Sequence, residues 1–261
     1  MQNTLVRTFG THRDLLVAWT FRILRARYQQ SFLGFLWAIL QPAAQVLVFT
    51  IIFTTFVQIN TGNTAYVLFS SVAMVPWAFF SNSLNDMVGS LVENMSLVTK
   101  IYFPREIFPL SALLARFADF LISSIMVVLL MLYFGTQVYL LGLIFLPLIV
   151  LVQMTLALGI GLIGAAINVF YRDIKHLFTL GLQLWLYASP VIYPIDRVPE
   201  RFRSLYYLNP MAGVITSYRD VLLYQQLPST PLLISAVMAV AILVIGYWFF
   251  KRVEFQFADV V

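Results

Sequence analysis

The sequence predicts an all-α integral membrane fold with six transmembrane helices, and three observations lead there. Of its 261 residues 61% are hydrophobic and only 10% are charged, far from the roughly 25% charged composition of a soluble domain. Uncharged or nearly uncharged runs recur at 33–58, 65–85, 107–134, 138–170, 177–195 and 232–250, each near or above the ~20 residues that cross a bilayer. The basic residues between these runs alternate in density, as they do between the two faces of a membrane.

The first element precedes any crossing. Leu15, Leu16, Trp19 and Ile23 recur at helical spacing within 12–30, with Arg22, Arg25 and Gln29 on the opposite side. This is the pattern of a basic amphipathic helix lying in the membrane surface. Thr11 and Asp14 are spaced as a capping box at its start. Arg22, Arg25 and Arg27 stand at the entrance to the first run, flanked by Tyr28 and Trp37 at headgroup level. Gly34 and Pro42 mark close packing and a bend there. The stretch reads either as an interfacial anchor or as a group that handles substrate.

The charge distribution then orients the chain. Arg7, Arg13, Arg22, Arg25 and Arg27 precede the first run, Lys100 and Arg105 separate the second from the third, Arg172 and Lys175 the fourth from the fifth, and Lys251 and Arg252 follow the sixth. The loops 59–64 and 135–137 carry none, and the longer segment 196–231 carries Arg197, Arg201, Arg203 and Arg219. Both termini are therefore expected in the cytoplasm. The net charge of +5 points to lipid headgroups and topology before nucleic acid. No short apolar core with a cleavage site opens the chain, so no removable signal peptide is expected.

Between the crossings, 86–106 places Val88, Leu91, Val92, Met95 and Val98 at helical spacing. A short helix along the cytoplasmic surface follows, suited to docking a partner, with Glu93, Lys100, Arg105 and Glu106 available to set its register; contact with lipid alone has the same period. Arg116 and Asp119, three apart inside the third run, read as a neutralising pair, or else Arg116 meets a lipid phosphate. The fourth run carries Gly159, Gly161 and Gly164 beside small alanines, a face for close helix contact. The segment 196–231 is too long for a turn and too apolar for a solvated loop. It reads as two helices re-entering the outer leaflet, the second capped by Asn209-Pro210, positioned as a lid or gate. Phe202, Tyr206 and Tyr218 lie on these helices. Together the chain reads as one domain, 1–261, with an interfacial helix in 1–32, a bundle over 33–250 and a tail at 251–261.

Several function classes are poorly served. Without cysteine there is no disulfide, thiolate metal site or cysteine nucleophile. His12 and His176 are isolated and Asp86 and Asp119 read as single carboxylates, so no catalytic or metal-ligating set is assigned. A membrane enzyme acting on lipid-linked sugars is the rival reading, and a secondary transporter lacks interrupted helices in corresponding halves. None of the three lysines follows a glycine, so no phosphate loop exists. Any ATP is hydrolysed by another chain.

Arg27-Tyr28-x-x-Ser31-x-Leu33-Gly34-x-x-Trp37-x-x-x-x-Pro42, Phe103-Pro104-Arg105-Glu106, Tyr171-Arg172-Asp173, Ser189-Pro190-x-x-Tyr193, Asn209-Pro210 and Phe257-Ala258-Asp259-Val260 together resemble the type-2 ABC transporter permeases. Among these the chain is similar to the polysaccharide and O-antigen exporters along essentially its whole length. The resemblance implies a homodimer in the bacterial inner membrane, with two ATPase subunits that bind ATP and Mg. It also implies a polyprenyl-pyrophosphate-linked glycan moved outward along the dimer axis. By position, the helix near 88–99 corresponds to a coupling helix and the pair near 198–224 to external gate helices. The basic helix before Ser31 corresponds to an interfacial helix where the lipid headgroup enters. Arg25, Arg27, Tyr28 and Arg116 are then headgroup candidates, and Trp37, Trp185 and Tyr187 channel candidates. A teichoic acid or small-molecule exporter of the same class stays open.

Overall fold

The computed structural model describes the backbone of residues 2–29, 31–59, 61–62, 64–100 and 104–258, and the side chains of these except 2–12, 98–100, 204, 205 and 258. Among the described residues every regular element is helical: α1 (Gln2–Tyr28), α2 (Leu36–Ile51), α3 (Tyr66–Glu93), α4 (Met95–Lys100), α5 (Ile107–Tyr133), α6 (Leu140–Leu143), α7 (Leu146–Phe170), α8 (Ile174–Tyr187), α9 (Glu200–Tyr206), α10 (Pro210–Leu222) and α11 (Thr230–Val253). A π-helical turn, Ile52–Phe56, extends α2.

The bundle is organised around α3, whose residues are apolar or small on nearly every side and are buried along most of its length. A helix of that composition belongs in the interior. It packs against α5 and α7, with α2, α8 and α10 around it. α11 lies against α7 through glycines, as the small-residue face predicts. A Cβ at Gly246 would stand 2.3 Å from the Gly159 carbonyl oxygen, and one at Gly159 2.6 Å from the Leu243 nitrogen. The two backbones touch, and only glycine allows it. Gly161 and Gly164 make the same room for Met87 and Val88 of α3.

A second apolar cluster closes the end of the bundle that carries α1 and the C-terminal turns. Leu91, Phe108, Leu162, Ala166, Phe250 and Phe257 form it. Trp19 of α1 meets Phe108 edge to face, with ring centroids 5.2 Å apart. The chain leaves α1 through Gly34, whose positive φ of +49° suits glycine, and Ser31 Oγ accepts the Gly34 amide at 3.1 Å.

Three expectations change. Five helical spans among the described residues are long and apolar enough to cross a membrane: Leu36–Phe56, Tyr66–Glu93, Ile107–Tyr133, Leu140–Phe170 and Thr230–Phe257. The run at 177–195 instead gives the 14-residue α8, about 21 Å long at 1.5 Å per residue. It stops before Ser189-Pro190 because proline disfavours helical backbone in the residue ahead of it. The separate helix expected near 88–99 is also redistributed. Val88 and Leu91 belong to the last turns of α3, buried against α7, and only Met95–Lys100 forms a short helix. Finally, α1 already runs from Gln2, so Thr11 and Asp14 lie within it and cap no helix start.

Candidate functional site

Helix register builds a charge cluster where α1, α3 and α5 meet. Arg116 and Asp119, at i and i+3, share one side of α5, roughly 14–18 Å along that helix from Ile107 at 1.5 Å per residue. Asp86 faces them from α3, and the last turn of α1 delivers Arg27 and Tyr28. Arg116 forks onto Asp86, with Nε donating to Oδ2 at 2.6 Å and Nη2 to Oδ1 at 3.0 Å. Its Nη1 reaches Asp119 Oδ2 at 3.3 Å. Arg27 spans the same two carboxylates, donating to Asp86 Oδ2 at 2.7 Å and to Asp119 Oδ2 at 2.5 Å. The Tyr28 hydroxyl donates to Asp119 Oδ1.

The pairing read from sequence, Arg116 with Asp119, is therefore the longest contact of a quartet. Asp86 and Asp119 are not single carboxylates, since two guanidinium groups bind both. Charge-assisted forks of this kind fix geometry as well as energy. Burial, then the neighbouring Asp119 carboxylate, pushes the Tyr28 phenol up to about 12 from its ordinary 10, which keeps it a donor across the physiological range.

A cavity of about 270 Å³ opens beside the quartet, between α2 and the α3–α5 pair. Its lining includes Trp37, Gln41, Phe79 and Asn82 together with Arg27 and Arg116. Arg25 lies elsewhere, on the exposed face of α1. Two shallow grooves meet at Phe21, Arg25 and Gln29, and Arg22 stacks over Trp19 at 4.3 Å beside them. Of the four headgroup candidates, Arg25 alone is free of the quartet.

The opposite end of α8 carries a second arrangement. After Tyr187 the chain turns irregularly through Ser189-Pro190, which leaves backbone carbonyls without helical partners. Each finds a donor. Tyr193 Oη donates to Tyr187 O at 2.9 Å, Asn209 Nδ2 to Ala188 O at 3.1 Å, and Tyr66 Oη to Ile192 O at 2.7 Å. The Val191 amide donates to Ser189 O at 2.7 Å. Arg219, buried in α10, donates to Pro190 O at 2.5 Å and Val191 O at 2.7 Å, and lies 3.6 Å over the Phe69 ring. Asn209 also accepts from Trp185 Nε1 at 2.9 Å and from the Met211 amide at 3.1 Å, capping α10 as expected.

Residues 14–223 match the model of the ABC-2 type transporter family. The chain belongs to this family. It is 35% identical to the O-antigen export system permease protein RfbA of Myxococcus xanthus over 98% of both chains. It is 29% identical to the protein of the same name from Klebsiella pneumoniae over 95% of both, and 25% identical to the polysialic acid transport protein KpsM of Escherichia coli over 82% of this chain and 83% of that one. This ABC-2 chain is thus a multi-pass membrane transporter subunit, not an enzyme.

The remaining assigned positions fall in three places on the ABC-2 chain. Glu93 ends α3 and pairs with Lys175 at 2.8 Å, both side chains about half exposed. Arg105 donates to the Glu254 carbonyl, and Glu106 receives Lys251 at 2.9 Å, so both hold the end of α11. Lys100 closes α4, and its side chain lies outside the described residues. Trp185 packs on Phe80 and Trp77. Tyr187 and Phe202 are exposed, and Tyr206 shares a hydrogen bond with Tyr193 at 2.7 Å. Tyr218 is in the core, bonded to Gln153 at 3.0 Å. By sequence alone Arg219 reads only as a charge of the segment 196–231. Its place in a helix that Asn209-Pro210 starts, among apolar residues, is the signal that it needed buried partners.

Proposed function

We propose that this chain is the permease subunit of an ATP-driven exporter moving a polyprenyl-pyrophosphate-linked glycan, of the O-antigen or capsule kind, out across the bacterial cytoplasmic membrane. The observation that carries this reading is the likeness to an O-antigen export permease across 98% of both chains. The permease works as a homodimer with two ATPase subunits, which bind ATP and Mg, since this sequence has no phosphate loop of its own.

Both termini face the cytoplasm, in keeping with the basic loops. α8 with the turn after it serves as the sixth crossing, its broken upper part closed by the carbonyl clamp. α9 and α10 form the outer gate. The C-terminal end of α3 and the start of α8, with α4 following α3, dock the ATPase through Glu93, Lys175 and the neighbouring Lys100. The exposed face of α1, with Arg22 and Arg25, meets the pyrophosphate; the grooves at Phe21 and Gln29 support this, because its arginines have no carboxylate partner among the described residues.

Deleting the gene is expected to abolish the surface glycan and leave lipid-linked glycan inside the cell, and the chain is expected to copurify with an ATPase. A deletion strain with normal surface glycan, altered only in teichoic acid or in drug sensitivity, overturns the assignment in favour of those exporter types. Glu93→Arg is expected to lower copurification of the ATPase while membrane insertion is unchanged.

A further inference from the structure

The cavity beside the quartet has contents that the export reading leaves unused. Gln41 on α2 and Asn82 on α3 line it, and neither amide has a hydrogen-bond partner among the described residues. Asn82 is half-buried between apolar helices, where an amide without a partner is costly, and Gln41 stands exposed at the cavity's lip, so a polar occupant that meets Asn82 can also reach Gln41. The two serines of the lining are committed, since Ser31 accepts the Gly34 amide and Ser123 donates to the Ala38 and Asp119 carbonyls. Trp37 and Phe79 supply flat apolar walls. The volume is far above the ~10–15 Å³ that one water requires.

The floor decides what kind of occupant fits. Arg27 and Arg116 are already held by Asp86 and Asp119, and Asp119 itself lines the cavity, so an anion approaching either arginine must displace an existing pair and meets the Asp119 carboxylate. A neutral polyhydroxylated ring suffers no such repulsion. Its hydroxyls suit two amides and the edges of an ion network, and its C–H faces suit aromatic walls.

We infer that this cavity is a binding site for a neutral pyranose, the first sugar of the lipid-linked substrate. The inference rests on the export reading, and it divides the recognition. The pyrophosphate meets the open arginines of α1, and the sugar next to it is read inside the cavity by Gln41 and Asn82.

The test uses the full chain in detergent with two probes, polyprenyl pyrophosphate and the same carrier bearing one N-acetylglucosamine, binding being followed by quenching of tryptophan fluorescence. The sugar-bearing carrier is expected to bind at least about ten-fold tighter, as sites built to pair hydroxyls discriminate against analogues that lack them. Gln41→Leu, at an exposed position on the cavity's lip, is expected to abolish that preference and leave the bare carrier's affinity unchanged. Asn82→Leu is expected to do the same in protein that still elutes as one species. Arg22→Ala with Arg25→Ala is expected to weaken both probes alike. Equal affinity of the unmodified chain for the two probes overturns the sugar site while sparing the export reading. Binding of neither overturns both, and a Gln41→Leu chain that loses both probes equally assigns the cavity to the phosphate instead.

Discussion

The charge quartet and the carbonyl clamp each place arginine among apolar helices, and they satisfy it by opposite means. Arg27 and Arg116 border a cavity and take carboxylates, with side chains about a fifth exposed. Arg219 is 3% exposed and makes no salt bridge among the described residues; it takes two carbonyl oxygens and an aromatic face. In the quartet, Arg27 and Arg116 compete for the same two oxygens, so one can leave while the other holds. In the clamp, the carbonyls of Pro190 and Val191 have no second donor among the described residues. The first arrangement tolerates exchange of partners, and the second fixes α10 to the turn above α8 as a single body.

That contrast can be broken by mutation. The largest loss is expected from Arg219→Met, which orphans two buried carbonyls at about 1–3 kcal/mol each. Thermal unfolding in detergent reads it, and Arg219→Lys is expected to recover less than half, because an ammonium cannot span both oxygens as the planar fork does. Asp86→Asn is expected to cost less, about 2 kcal/mol, because the partly exposed quartet retains Asp119 for both arginines. If Asp86→Asn proves the more damaging of the two, the quartet is the rigid joint and the comparison is reversed.

Smaller still is Tyr28→Phe, expected to cost about 1 kcal/mol for one hydrogen bond. Its signature is the pH dependence. The folded chain holds the phenol protonated to about 12 against an ordinary 10, so its contribution is complete below pH 10 and is lost as pH rises toward 12. Melting curves of Tyr28→Phe are expected to lack that part of the decline. The smallest change belongs to Lys175→Ala. Its exposed pair with Glu93 is expected to contribute under about 1 kcal/mol, so any large effect on export comes from docking and not from folding.

Most of the fold was legible because hydropathy and small residues act locally. Gly159 announced close contact with a neighbouring helix, and Asn209-Pro210 announced the start of α10. The reach of α3 was not legible, since Val88 and Leu91 have the same period whether they face lipid, a partner or α7. Nor was the end of α8, because the apolar run continues through Ser189-Pro190 although the helix cannot. In the site, Arg116 and Asp119 are neighbours on one helix and were visible as such. Arg27 and Asp86 come from α1 and α3, and nothing in local spacing joins them. Arg219 escaped for a related reason, as its partners are backbone oxygens that carry no residue identity.

The balance of the quartet has an electrical consequence. A charge carried across a membrane potential changes energy by about 2.3 kcal/mol per 100 mV. Because Arg27, Asp86, Arg116 and Asp119 sum to zero formal charge, α1, α3 and α5 can shift together through the field without doing electrical work. Were Arg27 to leave alone, one negative charge would remain inside, and the potential would act on that step only.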